Sequence, residues 1–251
     1  KIFIGTSGFT YQHWRGLFYP QDLRQKDWLE YYAKYFDTVE INASFYHQMS
    51  RKVYENWRAR TPKDFLFSVK GSRFITHIKR LKDCRQEVER FLTSAAGLEE
   101  KLAVVLWQLP PRWTADPKRL KEFLDVIGDG SSPPRVTRRL NRVRHAFEFR
   151  DKSWLDPQIW GLLKDYRCAL VIQDSPSWPT AEITTTDFTY LRFHGRQSLY
   201  SSCYNKAELE AWAEKIKKLA GEGLDVFVYF NNDVGGYAVR NAKELKKLLN
   251  C

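Results

Sequence analysis

No stretch of this chain holds the ~20 consecutive apolar residues a helix needs to cross a bilayer, and its N-terminus shows no charged-then-apolar leader. The expectation is a soluble, cytoplasmic protein with no membrane partner. Cysteine is scarce and scattered: Cys84, Cys168, Cys203 and Cys251 form no C-x-x-C pair, which excludes a zinc knuckle or a disulfide framework and predicts reduced thiols. Histidine is thin as well, with five residues and no H-x-H or H-E-x-x-H spacing, so no tightly bound zinc cluster and no firm cofactor is predicted. A weakly held divalent cation on Glu148, Asp174 or Asp233 stays compatible with the sequence. Acid is short relative to base, 30 residues against 41, and the net charge of +11 favours anionic partners, either phosphorylated small molecules or nucleic acid. Protein partners are not legible.

What the chain has in quantity is short apolar runs with polar endings. KIFIGTS, TVEIN, FLFSVK, AVVLWQ, HAFEFR, ALVIQD, TYLRFH and VFVYFN end at Ser7, Asn42, Lys70, Gln108, Arg150, Asp174, His194 and Asn231. Helical patterns separate most of them: Asp27 to Tyr35, Arg51 to Arg60, Val88 to Leu92, a helix opened by Pro117, another from Pro157 to near Tyr166, Ala207 to Leu219, and Ala238 to Leu249. Alternating strands and helices call for a parallel sheet, and 251 residues suit one closed α/β barrel of about 250. The expected fold is therefore a single TIM-type (β/α)8-like barrel domain over residues 1–251. It is irregular, because SPSWPTAEITTTDF between strands six and seven has two prolines, a β-branched run and no helical face. The polar strand ends would then converge on one mouth.

Strand parity decides which side chains point inward. If Val39 and Ile41 face the helices, then Glu40 and Asn42 face the barrel axis. The same rule sends Ser68 and Lys70, Glu148 and Arg150, Arg192 and His194, and Tyr229 and Asn231 inward. Burying so many polar groups costs a few kcal/mol apiece unless each finds a partner, so a purely structural interior is a poor explanation. The competing explanation is an ion-pair network in which Glu40 and Glu148 neutralise Lys70, Arg150 and Arg192.

Two further features bear on a ligand. The loops after strands seven and eight, HGRQSLYSSCYN and NNDVGGYAVRN, stand where such barrels commonly bind phosphate. Arg192, His194 and Arg196 would supply donors there, Gly235 and Gly236 would expose backbone amides, and Asn231 and Asn232 would orient the ligand. Aromatic residues make up 15% of the chain, and Tyr11, Trp14, Phe45, Tyr46, Trp113, Trp154 and Trp178 fall in the expected mouth loops, where rings either stack on a ligand or pack under the loops. The basic run from Pro133 to His145, including Arg135 to Arg144, precedes strand five and so belongs to the opposite face; the lysines of the last two helices read as solvated surface.

GTSGFTYQHWRGLFYP, FDTVEINASFY, FLFSVKGSRFITH, LWQLPP, HAFEFRDKSW, RFHGR and YFNND, in that order between Gly5 and Gly236, resemble the YecE-like family, the domain of unknown function DUF72. The resemblance implies a TIM-barrel-like fold, with a loose kinship to barrels that include apurinic-site endonucleases and sugar isomerases. It implies no activity. A retaining glycosidase would want an acid at strand four and a nucleophile near strand seven, where this chain has Gln108 and His194. A Schiff-base enzyme would need a desolvated strand lysine, and Lys70 is the candidate, although nearby Glu residues would hold it charged.

Three functions remain. The first is an anion-binding barrel directed at phosphate groups, including nucleic acid, with phosphoester hydrolysis by Glu148 and His194. The second is an isomerase or lyase on a sugar or sugar phosphate, using Glu40 and Glu148 as the acid–base pair. The third is a binding or scaffold barrel without catalysis. The candidate catalytic residues are Glu40, Glu148 and His194. The candidate binding residues are Asn42, Lys70, Gln108, Arg150, Trp154, Asp174, Arg192, Arg196, Asn231, Asn232, Gly235 and Gly236.

Overall fold

A computed structural model describes residues 1–128 and 143–251. Eight strands, β1 (Ile2–Thr6), β2 (Thr38–Ile41), β3 (Leu66–Lys70), β4 (Leu102–Gln108), β5 (Arg144–Glu148), β6 (Ala169–Asp174), β7 (Phe188–Phe193) and β8 (Asp225–Phe230), form one parallel sheet in the order β1-β8-β7-β6-β5-β4-β3-β2. The sheet curls until β1 meets β2, which makes the TIM-type barrel expected from the alternation. The last seam is thin: Ser7 and Glu40 form an isolated bridge, with Gly8 N–H donating to Glu40 O at 2.7 Å. A side chain completes it. The Tyr32 hydroxyl accepts from Thr6 N–H at 2.9 Å and donates to Thr38 O at 3.1 Å, so one phenol stands in for a missing ladder bond. Gly5 permits this approach, because a Cβ there would lie 2.1 Å from Thr38 O.

The period of two along each strand sorts side chains into two cores. Val39, Ile41, Val69, Trp107, Phe147, Ile172 and Leu191 face outward and pack beneath the helices. Val104, Leu106, Ala146, Val171, Phe188, Tyr190, Phe227 and Tyr229 fill the inside of the barrel. Read from N- to C-terminus, the inward positions turn from apolar to charged. Phe188, Tyr190, Arg192 and His194 do so along β7 and its end; Ala146, Glu148 and Arg150 do so along β5. The mouth is therefore polar, whereas the floor is apolar except for Arg144, which lies over Phe188 and Phe227 and pairs with Asp225.

Outside the barrel lie α1 (Trp28–Tyr32), α2 (Ala43–Tyr46), α3 (Arg51–Ala59), α4 (Arg85–Ala95), α5 (Pro117–Gly128), α6 (Pro157–Asp165), α7 (Lys206–Gly221) and α8 (Tyr237–Leu249). Asp156 caps α6 through Gln158 N–H, and Asn205 with Glu208 forms a capping box on α7, which explains why those starts were readable. Residues 175–187, between β6 and β7, contain no helix, as the two prolines and β-branched run require. Of the basic run, 133–142 lie outside the described residues; Arg144, at the start of β5, pairs with Asp225 at 2.6 Å, on the face away from the mouth. Among the described residues no helix is long and apolar enough to cross a membrane.

Candidate active site at the mouth of the barrel

Arg192 is the centre of the mouth and is completely buried. Its guanidinium donates to Glu40 from Nε at 3.0 Å and Nη2 at 2.7 Å, to Ser7 Oγ at 3.2 Å, and through Nη1 to Glu148 Oε2. Glu40 accepts further bonds from Ser7 Oγ and from the Tyr190 hydroxyl, the latter at 2.7 Å, so both of its oxygens are filled. Burial pushes the Glu40 carboxyl up, but the Arg192 charge and these hydrogen bonds outweigh it and hold its pKa below the usual carboxylate value. Burial pushes the Glu148 carboxyl up as well, but the Arg192 and Arg150 charges hold it well below that value. These carboxylates are ionised at neutral pH and have little free valence. Beneath them Tyr229 joins its hydroxyl to Thr38 Oγ1 at 2.6 Å and Ser68 Oγ at 2.8 Å.

The groups nearer the rim are less completely paired. Arg150 donates from Nε to Glu148 Oε1 at 2.8 Å and lies 3.5 Å from the centre of the Trp178 ring, and its terminal nitrogens have no hydrogen-bond partner among the described residues. Lys70, at the end of β3, makes no hydrogen bond or salt bridge from Nζ among the described residues; its ammonium lies 4.1 Å from the Phe45 ring centre. Burial and the Arg192 charge lower its pKa to about 7. Asn42 donates to Ser7 Oγ at 2.8 Å, yet its Oδ1 is buried without a partner. His194 is buried under Trp178, ring centres 5.0 Å apart, and burial lowers its pKa to about 4. Asn231 Nδ2 lies 3.1 Å from His194 Nδ1, which assigns the proton of the neutral ring to Nε2; that atom is 3.6 Å from Glu148 Oε2, too far for a hydrogen bond. Gln108, in register with Glu148, completes the inward set.

Four candidates do not join this group. Asp174 faces the other way: Gln173 is in register with Arg192 and points inward, while Asp174 accepts from Trp212 Nε1 of α7 at 2.9 Å. Trp154 is fully buried, stacked 4.8 Å from Phe149, with its N–H on Trp113 O, so it supports the loops from below. Arg196 is exposed and lines an outer cleft with Asp174, Glu182, Trp212 and Lys215. Asn232 is buried against α8, bonded to Ser202 O at 2.9 Å and Asn241 Oδ1 at 3.0 Å.

The expected phosphate loop is not open either. Ser202 Oγ occupies the amides of Gln197 and Ser198, each at 3.2 Å. Gly235 and Gly236 take positive φ values of 69° and 74° to turn the chain into α8, and the Leu17 side chain lies over Gly236. Asp233 stands apart beside His13, 3.9 Å away. With Glu148 bound to two arginines and Asp174 turned outward, no group of three or more His, Cys, Asp or Glu residues converges on a metal position among the described residues.

Sequence reasoning passed over Tyr190 and Ser7 as site residues. Tyr190 lies two positions before Arg192 on β7, so parity was a sufficient signal for it. Ser7 gave only its place at a strand end.

Comparison with known proteins agrees with the fold. The model described as "Protein of unknown function DUF72" matches residues 3–251. The UPF0759 protein YunF of Bacillus subtilis is 30% identical, with 99% of this chain and 94% of the relative aligned. The UPF0759 protein YecE of Escherichia coli is 32% identical over 50% of this chain and 44% of its own. The crystal structure of a DUF72 family protein from Thermotoga maritima superposes with a TM-score of 0.85 at 31% identity, covering 100% of this chain and 99% of that one.

Proposed function

The chain belongs to the DUF72 family, and we propose that the mouth of its barrel binds a small anionic ligand bearing a phosphate or carboxylate group. One observation carries this reading. Three basic side chains, Lys70, Arg150 and Arg192, meet only two carboxylates, Glu40 and Glu148, and both carboxylates are engaged by arginine. Arg192 commits four of its five N–H groups to Glu40, Glu148 and Ser7, so Arg150 and Lys70 are the anion-binding pair. Asn42, Gln108 and Asn231 would orient the ligand, and Trp178 backs Arg150 as a flat wall.

The roles assigned from sequence shift accordingly. Glu40 and Glu148 hold arginines in place and are too fully bonded to trade protons. His194 stays neutral above about pH 4 and serves best as an Nε2–H donor. The group able to gain or lose a proton near neutrality is Lys70, so acid–base work, where it occurs, falls to that amine. A sugar phosphate suits the remaining features, because the unpartnered Asn42 Oδ1 and His194 Nε2 match the donors and acceptors of hydroxyl groups.

Ribose 5-phosphate, inorganic phosphate, nucleotides and short single-stranded DNA should be compared by thermal shift and by titration at several salt concentrations. A ligand at 100 times its Kd raises stability by about 2.7 kcal/mol. Small phosphates are expected to stabilise the protein. A log–log salt slope of about −1.4 for single-stranded DNA fits two free cations, whereas a much steeper slope points to a nucleic-acid surface elsewhere. No stabilisation by any anion at low salt contradicts the reading.

A further inference from the structure

Lys70 is a buried amine whose Nζ makes no direct ion pair among the described residues. Phe45 of α2 covers it at 4.1 Å. Glu40 of β2 is filled by Ser7, Tyr190 and Arg192, and Glu148 of β5 by Arg150 and Arg192. Arg192 of β7 and Arg150 beyond β5 add positive charge, and His77, on the π-helical turn Phe74–Ile78 that follows β3, is kept neutral chiefly by burial, with a pKa near 4. Glu148 and Glu40 both pull the Lys70 pKa up, but with arginines occupying their oxygens that pull falls short of burial and the Arg192 charge. A free amine at a strand end, at the edge of an anion site, is the arrangement a nucleophile needs. The π-helical turn beside it is a feature frequent at functional sites.

We infer that Lys70 forms an imine with the carbonyl carbon of an anionic aldehyde or keto acid, a proposal that rests on the anion-binding reading of the mouth. The Nζ lone pair forms the C–N bond as the C=O π pair moves to oxygen. A proton lost from nitrogen and taken up by oxygen gives the carbinolamine. One further proton on that oxygen lets water leave, and the nitrogen lone pair closes the C=N⁺ bond. The sum is amine, carbonyl and one proton going to iminium and water, with no oxidant or reductant. The product cation keeps the Phe45 face and gains the ligand's own negative group.

The test uses the intact protein, sodium glyoxylate or the neutral glycolaldehyde as probe, cyanoborohydride to fix the adduct, and peptide mass spectrometry. Glyoxylate at pH 7 is expected to label Lys70 at least about tenfold faster than the exposed Lys118 and Lys247, since each unit of pKa changes the free-amine fraction tenfold. Inorganic phosphate should slow that labelling at Lys70 alone. Labelling of Lys70 no faster than of Lys118 and Lys247 between pH 6 and 9 overturns the inference. If phosphate nevertheless binds by calorimetry, the anion reading survives that failure. Preferential labelling of Lys70 by glyoxylate and glycolaldehyde alike, with no effect of phosphate, supports the nucleophile and overturns the anion reading instead.

Discussion

Two sets of polar groups sit at successive levels of the barrel mouth, and they are built on opposite terms. In the deeper set, Glu40, Arg192 and Glu148 fill one another's hydrogen-bonding capacity, with Ser7 and Tyr190 closing the gaps. In the outer set, Arg150 keeps free N–H groups, Lys70 has an aromatic face in place of a carboxylate, and Asn42 and His194 each bury an unpartnered atom. A nearly saturated cluster can position its neighbours but has little left to offer a ligand. An unsaturated one costs stability and gains the ability to bind. The difference separates scaffold from site within a single polar interior.

The hardest blow to this contrast is to remove its hub. Arg192→Met leaves two buried carboxylates without a counter-ion and should cost about 3–5 kcal/mol in urea unfolding, or abolish the fold; a loss under about 1 kcal/mol breaks the distinction. Next comes Lys70→Met, which removes a cation lacking a partner and should stabilise the protein at pH 6 by about 1–4 kcal/mol. Its sign with pH is fixed. The folded pKa is depressed to about 7 from 10.5, so the unfolded chain binds more protons between those values and wild-type stability climbs across that window. The gain from Lys70→Met should fade toward pH 10; a gain independent of pH means that Lys70 is not desolvated.

Acid should act in the same direction. Glu40 and Glu148 have folded pKa values below 4.5, and His194 falls to about 4 from 6.5. The unfolded chain takes up protons first, so the contribution of these three groups is full above about pH 6.5 and is lost progressively as pH falls toward and below 4. Thermal melts from pH 7 to 4 check this, and a melting temperature that is flat over the range counts against the ionised cluster. The smallest effect belongs to Arg196→Ala. That exposed side chain on the outer cleft should change stability by less than about 0.5 kcal/mol and leave phosphate binding untouched.

The sequence made the barrel readable because polar ends and period-two alternation survive in strands with one polar face. Parity placed Glu40, Glu148, Arg150, Arg192 and His194 correctly from single strands. It gave no guidance where alternation vanished: ALVIQD is apolar on both faces, and only its register with β7 reveals that Gln173 points inward and Asp174 outward. Parity also lapses past a turn. Gly195, at φ 92°, redirects the chain before Arg196. Trp154 looked like a mouth aromatic because nothing local says whether a loop ring packs above or below its own loop. Most telling is Lys70, whose protonation depends on which cation claims which glutamate, and that pairing joins residues more than a hundred positions apart.

Calorimetric titration of inorganic phosphate into wild type, Arg150→Met and Arg196→Ala at low salt tests the central claim most directly. Saturable binding in wild type and Arg196→Ala, with loss in Arg150→Met, is the expected result. Binding that survives Arg150→Met but falls in Arg196→Ala would move the site from the mouth to the outer cleft and contradict the account.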